Sequence, residues 1–484
     1  MSKRPLFSGL LSSIADLISG SQRDKVANVP RTVRRLQIER LEDRSMMAAG
    51  ALDTTFSSDG RVTTAFNLGG SKEDLIADLA VQSNGRIVAV GVVQRNGTGD
   101  SDFGIARYLA NGSLDASFSS DGKTTVAFDL GGNDYDVAHA VRIQSDGKIV
   151  VVGRATRNSS GDEDFAVARL NSNGSLDSTF SGDGKATVAF NLGGSKSDQA
   201  GDVAIQSNGR IVVVGQAERT NGDIDFGIAR LTTSGSLDTT FSSDGKAIVA
   251  FDLGGSDADG ARAVALQSDG RIVVGGYVQR TNATNRDFGI ARLTTSGSLD
   301  TAFSSDGKAI VAFDRGGGDE DILQDLAIQS NGRIVAVGYT HRGNTGDYDF
   351  AVARLTTTGG LDTTFSSDGK AMVGFDYGPS GSRIDQAFCV KIQSDGKILL
   401  AGKVQRSSSG DYDFGVARLT ASGSLDTTFS SDGRVTVAFD LGGTNEDSAA
   451  GIFVQSDGRI VIGGRARRTG GGDFDFALAR LTAV

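Results

Sequence analysis

Seven times along the chain a short apolar run meets Asn-Gly or Asp-Gly and turns into a second apolar run. Ile143 to Val151 shows the pattern in its smallest form, I-Q-S-D-G-K-I-V-V. The copies centre on Asn84-Gly85, Asp146-Gly147, Asn208-Gly209, Asp269-Gly270, Asn331-Gly332, Asp395-Gly396 and Asp457-Gly458, each followed by Lys or Arg and then Ile. Such a pair between apolar runs is the strongest short-range signal of a β-hairpin. The expected connection is a type I′ turn, which needs φ > 0 at both central residues. A sevenfold hairpin commits the chain to repeated antiparallel sheet. It names no ligand and no reaction.

The hairpins sit inside longer units that begin at a Leu-Asp pair, at Leu52, Leu114, Leu176, Leu237, Leu299, Leu361 and Leu425. Successive starts lie 61 to 64 residues apart. Each unit holds four short segments rich in β-branched and aromatic residues and bounded by Gly, Ser, Asn or Asp. In the second unit these are Thr124–Asp129, Ala140–Gln144, Lys148–Ala155 and Asp164–Leu170. Four strands per unit and seven units predict an all-β fold, a seven-bladed β-propeller of four-stranded blades. A parallel β-helix would repeat at roughly 20 residues per coil. The abundance of Gly, 67 residues against 3 Pro, suits many tight turns. The propeller is expected over residues 51–484, and residues 1–50 form a separate leader.

Phase decides how the ring closes. The hairpin supplies the two innermost strands of a blade, the Asp-Phe-x-x-Ala-Arg segment the third, and Lys-Ala-x-Val-Ala-Phe-Asp the outer one. The repeats then begin on an outer strand, Arg61–Asn67, and end after a third strand, Asp475–Leu481. The last blade is expected to combine the first strand with the final three, which removes two open sheet edges.

Internal symmetry separates structure from function. An Arg recurs in every third strand: Arg107, Arg169, Arg230, Arg292, Arg354, Arg418 and Arg480. The Asp opening that strand lies five residues earlier, on the opposite face, so the two do not pair within it. This Arg is expected to bridge to the Asp of a Leu-Asp corner, because a buried guanidinium needs a partner. A second sevenfold Arg closes the second strand, from Arg95 to Arg468, and is expected to pin acidic loops. Alternation of Phe with Gly or Ala, as in Phe226-Gly227-Ile228-Ala229, suits blades packed face to face.

Positions that break the symmetry are fewer. Near the central channel, one inner-strand position reads Asp78, Ala140, Asp202, Ala263, Asp325, Cys389, Gly451; two residues on it reads Ala80, Arg142, Ala204, Ala265, Ala327, Lys391, Phe453. Asp78, Asp202, Asp325, Arg142 and Lys391, with His139 nearby, are the candidate binding residues. Drift among tolerant positions is the plainer reading. His139 and His341 fall in the second and fifth units, too far round the ring to form a metal pair. Cys389 reads as a small buried hydrophobe, since no His accompanies it. The loops joining outer to inner strands and second to third strands share one face. They carry Glu73, Asp74, Asp134, Asp136, Asp319, Glu320, Asp321, Glu446 and Asp447. With the Gly-Asp-x-Asp-Phe segments they read as solvated acid, with Ca²⁺ as the one candidate cofactor.

The unit resembles the delta-60 repeat in L-D-T-T-F-S-S-D-G-K at Leu237–Lys246, in the hairpin, and in D-F-G-I-A-R-L at Asp287–Leu293. That family is regarded as propeller-forming and bacterial, surface-bound or secreted, with no shared catalysis. The resemblance implies a scaffold or binding role and carries over no functional residue.

Residues 1–50 hold nine Lys or Arg against five Asp or Glu, whereas the remainder holds 40 against 54. Lys3 and Arg4 precede an apolar stretch, Leu6 to Ile18, broken by Asp16. It reads as a weak secretory signal or as a partly disordered leader with no address. Arg34 to Arg44 resembles the R-x-L-x-x-E-x-L-E-x-R signature at the start of many bacterial surface and exported proteins, which implies an extracellular or cell-surface location. An acidic body argues against nucleic acid as partner. No apolar run reaches the length of a membrane-spanning helix, and the single Cys389 excludes an intramolecular disulfide.

The expectation is a non-enzymatic, exported propeller whose acidic loop face binds a protein or glycan. The alternatives are a hydrolase or lyase using channel-mouth carboxylates such as Asp202 and Asp325, and a Ca²⁺-stabilised structural module.

Overall fold

Every one of the seven hairpins forms, but not through the expected turn. In the second unit only Gly147 has positive φ, 84°. Its N–H donates to the Gln144 carbonyl at 2.9 Å, and the Gln144 N–H donates to the Lys148 carbonyl at 2.8 Å. This is a three-residue type I turn closed by Gly in the left-handed region. Asp146 serves by its side chain, its Oδ1 accepting the Lys148 N–H at 3.1 Å. Asn84, Asn208, Asp269, Asn331, Asp395 and Asp457 do the same. The turn selects an acceptor before Gly, and that preference is shared with type I′.

The computed structural model describes residues 49–483 except 70–72, 96–98, 132–134, 159–160, 194–196, 220–221, 255–257, 281–284, 315–319, 343–345, 376, 378–382, 408–409, 443–445 and 469–472. The leader signature at 34–44 lies outside the described residues. The chain forms seven four-stranded antiparallel sheets, a seven-bladed β-propeller. Blade one runs Asp74–Val81, Ile87–Arg95, Asp100–Tyr108 and Lys123–Val126 from the inside out. Blades two to six repeat it. Blade seven joins Ser448–Val454, Ile460–Arg467 and Phe474–Leu481 to Arg61–Thr64, with Arg61 opposite Ala479 and Thr64 opposite Phe476. The ring closes as the repeat phase requires. Arg480 and Arg459 both reach Asp53 at 2.8 Å across the joint.

The hydrophobic core lies between blades. One cluster gathers Val88, Ile105 and Phe118 of blade one with Val141, Ile149 and Ala166 of blade two, and further clusters follow round the ring. In each blade the third-strand Phe meets the Phe after the outer strand, as Phe165 meets Phe190 at 5.0 Å between centroids. Burying each such Phe contributes roughly 1.5–3 kcal/mol.

The sevenfold Arg of the third strand is a latch between blades. Arg169 donates to Asp177 Oδ2 at 2.7 Å, to Thr179 Oγ1 at 3.1 Å and to the Thr233 carbonyl of the next blade at 2.5 Å. Its guanidinium carbon lies 4.7 Å from the centroid of Phe180. Lys148, from the hairpin, reaches the same Asp177 at 3.0 Å. All seven corner carboxylates take both cations: Asp53, Asp115, Asp177, Asp238, Asp300, Asp362 and Asp426. Burial pushes these carboxyls up, but the neighbouring hydroxyls, amides and cations outweigh it, so Asp426 is lowered to about 2. The second sevenfold Arg pairs within its own blade, as Arg95 does with Asp102 at 2.5 Å and Arg406 with Asp413 at 3.2 Å. It pins the start of the third strand rather than a solvated loop.

Candidate functional site

Each inner strand carries one irregularity. Its register against the second strand shifts by a residue, between Ile76 and Asp78 in blade one and between Ala138 and Ala140 in blade two. The remaining five blades shift at the matching point. Opposite every shift stands a Gly. A Cβ on Gly153 would come within 1.9 Å of the Val137 carbonyl oxygen, so only Gly admits the bulge. A bulge turns two successive residues to one side. Here it aims Ala77, His139, Gly201, Arg262, Gln324, Phe388 and Ala450 into a cavity of about 270 Å³ at the channel.

The same cavity is lined by Asp78, Arg142, Asp202 and Asp325. The structure therefore gathers five of the six candidates, His139 included. Lys391 lines the adjoining space together with Arg142 and Asp325, and its ammonium lies 5.3 Å from the Phe453 ring centroid.

Each of the three Asp residues has both carboxylate oxygens hydrogen-bonded. Asp78 accepts the Leu79 N–H at 2.8 Å and, across to blade two, the Val141 N–H at 3.0 Å. Asp202 accepts Val203 N–H at 2.7 Å and Val264 N–H of blade four at 2.9 Å. Asp325 accepts Leu326 N–H at 2.7 Å and Val390 N–H of blade six at 2.8 Å. Each clasps an odd blade to the next even one. That explains the alternation Asp, Ala, Asp, Ala, Asp, and it corrects the expectation of neutral drift. Arg142 lies between two of them, 2.8 Å from both Asp78 and Asp202. Burial disfavours its charge, but the Asp202 and Asp78 carboxylates reverse this and raise its pKa. Asp325 makes no such ion pair among the described residues, and burial with the Asp202 charge raises it to about 7, the Arg142 charge opposing in part. His139 Nδ1 donates to the Ala200 carbonyl at 2.6 Å. Burial, with the Arg154 and Arg262 charges, lowers it to about 4, so the ring is neutral at pH 7. Cys389 is buried, as expected, and burial raises its thiol.

The acidic loop face needs correction. Of the nine acids named for it, Asp134 and Asp319 lie outside the described residues. Asp74, Asp136, Asp321 and Asp447 are not solvated; each is buried and accepts the N–H of the Phe after an outer strand, at 2.7–2.8 Å. Burial raises Asp74 and Asp321 to about 6 and Asp447 to about 7. Glu320 and Glu446 do reach the surface but face cations, Arg286 at 3.6 Å and Arg465 at 3.0 Å. Among the described residues no three of His, Cys, Asp and Glu gather as a metal site.

Sequence reasoning missed Arg262, Gln324 and Phe388. Strict alternation places them inside the blade, away from the channel. The invariant Gly of the second strand, a bulge marker, was the signal that could have found them.

A family model described as a domain of unknown function (DUF5122) beta-propeller matches residues 82–118, 144–180, 206–241, 267–303, 329–365, 393–429 and 455–484. Among curated proteins nothing matches. Similar solved structures include a Dyadobacter fermentans protein of unknown function, 14% identical, with 88% of this chain and 100% of that one covered and a TM-score of 0.41. The polysaccharide lyase Uly1 is 12% identical over 86% and 91% of the two chains, TM-score 0.45. A Penicillium chrysogenum alpha-L-arabinanase is 10% identical over 70% and 91%, TM-score 0.43. Likeness of this degree carries no argument about activity.

Proposed function

The chain belongs to the DUF5122 beta-propeller family, and from that premise we propose that it is a non-catalytic binding propeller, exported or held at the bacterial cell surface, that captures a protein or glycan at its channel mouth. One observation carries the reading. The carboxylates best placed for acid-base chemistry, Asp202 and Asp325, have both oxygens committed to backbone N–H groups of two blades. A general acid or base works through an oxygen free to take and give the proton, and each of these oxygens already accepts a backbone N–H. The bulges meanwhile aim chemically diverse side chains into the mouth, as a recognition surface requires. Among the described residues no helix is long and apolar enough to cross a membrane, and the reading requires no such span.

A second reading, a hydrolase or lyase, draws on Asp325, whose pKa near 7 suits proton transfer at neutral pH. Incubation with neutral and acidic polysaccharides decides between them, read by new reducing ends and by the ultraviolet absorbance of unsaturated uronate. The binding reading expects no turnover. Turnover that disappears in Asp325→Asn contradicts it. Protease treatment of intact cells tests the location: loss of the chain from untouched cells is expected, and full protection contradicts surface display.

A further inference from the structure

Symmetry breaking at the mouth is itself uneven. Three positions stand at this end of every blade: the bulge residue, which lines the cavity, the residue after the second-strand Gly, and the residue before the Asp that opens the third strand. In blades one to three these read Ala77, Val92, Ser101; His139, Arg154, Glu163; Gly201, Gln216, Ile224. None is Phe or Tyr. In blades four to seven they read Arg262, Tyr277, Arg286; Gln324, Tyr339, Tyr348; Phe388, Lys403, Tyr412; Ala450, Arg465, Phe474. Six are Phe or Tyr, four are Arg or Lys, and none is acidic, in a chain of net charge −10.

These side chains touch. Arg262 and Arg286 lie 5.6 and 4.8 Å from the Tyr277 centroid. Tyr339 meets Tyr348 edge-on at 5.5 Å and Phe388 of the next blade at 6.5 Å. Lys403 lies 5.0 Å from the Tyr412 centroid, and Arg465 lies 4.9 Å from that of Phe474. Arg286 and Arg465 are answered by Glu320 and Glu446. Arg262, which is exposed, and Lys403 form no ion pair among the described residues. Cation–π contact orients a cation without neutralising it, so this sector holds two positive charges without an ion-pair partner among the described residues, Lys403 half-buried and within the field of Glu446, beside the partly exposed rings of Tyr339 and Phe388.

We propose that the mouth over blades four to seven binds a carboxylated oligosaccharide, its carboxylates taken by Arg262 and Lys403 and a sugar ring laid against Tyr339 and Phe388. The proposal rests on the binding-propeller reading and names its ligand class. Charge complementarity selects an anion. Saccharide is favoured over nucleic acid on two grounds. Cations already cover Tyr277, Tyr412 and Phe474, where bases would stack. The acidic remainder of the chain repels a polyphosphate, which binds through many long-range charges. Gln324 adds an amide that pairs with hydroxyls.

The test is calorimetric titration of the full chain with tetragalacturonate, its methyl ester, tetraglutamate and a short oligothymidylate. Tetragalacturonate is expected to bind at least about tenfold tighter than the ester. The Arg262→Gln/Lys403→Met double variant and the Tyr339→Ala variant should each lose about tenfold. Arg154→Gln, at the equivalent place in blade two, should lose nothing. No binding of tetragalacturonate, equal binding of the ester, tighter binding of the peptide or oligonucleotide, or an equal loss in Arg154→Gln each overturns the ligand class and leaves the binding reading standing. Shortening of tetragalacturonate during titration overturns the binding-only reading, while the variants still decide the ligand class.

Discussion

The two faces of the disc are made from the same repeat and treat it differently. On the hairpin face all seven blades carry one device, a corner Asp held by a third-strand Arg and a hairpin Lys or Arg. On the other face much repeats too, the bulge and its Gly, the second-strand Arg paired with the third-strand Asp, and the buried Asp that holds the Phe N–H, but the side chains that line the mouth do not. The first face fixes distance and angle between blades. The second uses that frame to hold unlike groups at fixed positions round one mouth. A repeat protein can therefore hold its stability and its recognition in different residues, because stability is repeated and recognition need not be.

The comparison breaks most severely at the joint. Deleting Leu52–Asn67 removes Asp53 and the outer strand of blade seven, exposing the Phe474–Leu481 edge. The truncated chain is expected to aggregate or to lose its cooperative melt; a monomer with the parent melting temperature would contradict the closure.

Next in size is a single latch. Arg230→Met leaves Asp238 buried with only Arg210 beside it. Breaking a buried pair on one side costs about 3–5 kcal/mol. Denaturant unfolding measures it, and a loss below about 1 kcal/mol would reduce the latch to a surface ion pair.

Acidity sharpens the contrast between the faces. The corner carboxyls are lowered when folded, so their stabilisation holds above the usual carboxylate pKa and fades as pH falls toward about 2. The buried Asp74, Asp321 and Asp447 are raised to about 6–7. Their proton is bound more tightly in the folded chain, so they favour folding below the unfolded value and lose that contribution as pH rises through 6–7. Calorimetry should find the highest melting temperature near about pH 4, with decline as pH falls toward 2 and as it rises toward 6–7. A melting temperature still rising from pH 6 to 8 would contradict the raised set.

The smallest effect concerns calcium. The Asp residues opening the third strands are held by Arg, so we propose that Ca²⁺ has no structural role. Melting in calcium and in chelator should coincide; a rise of about 2.7 kcal/mol, expected of a ligand at 100 times its Kd, would show metal sites.

The hairpins, blade count, phase and closure were legible because each is local and written seven times. The Arg–Asp latch was legible for the same reason, since symmetry marks it and burial demands a partner. The turn type was misread because an acceptor before Gly serves two turn geometries. The Asp clasp was not legible. Asp202 and Val264 lie 62 residues apart, and only the assembled ring brings them together. The bulge ring escaped because alternation assumes an unbroken register, and the aromatic sector because each of its positions, taken singly, looks merely variable.

The separation of the two faces is tested most directly by melting the Arg262→Gln/Lys403→Met variant beside Asp238→Asn. Surface changes of the first kind are expected to stay within about 0.5 kcal/mol of the parent, while the second removes the anion shared by Arg230 and Arg210 and should cost about 3 kcal/mol or more. A mouth variant that melts as low as the corner variant would contradict the account, since recognition and stability would then rest on the same residues.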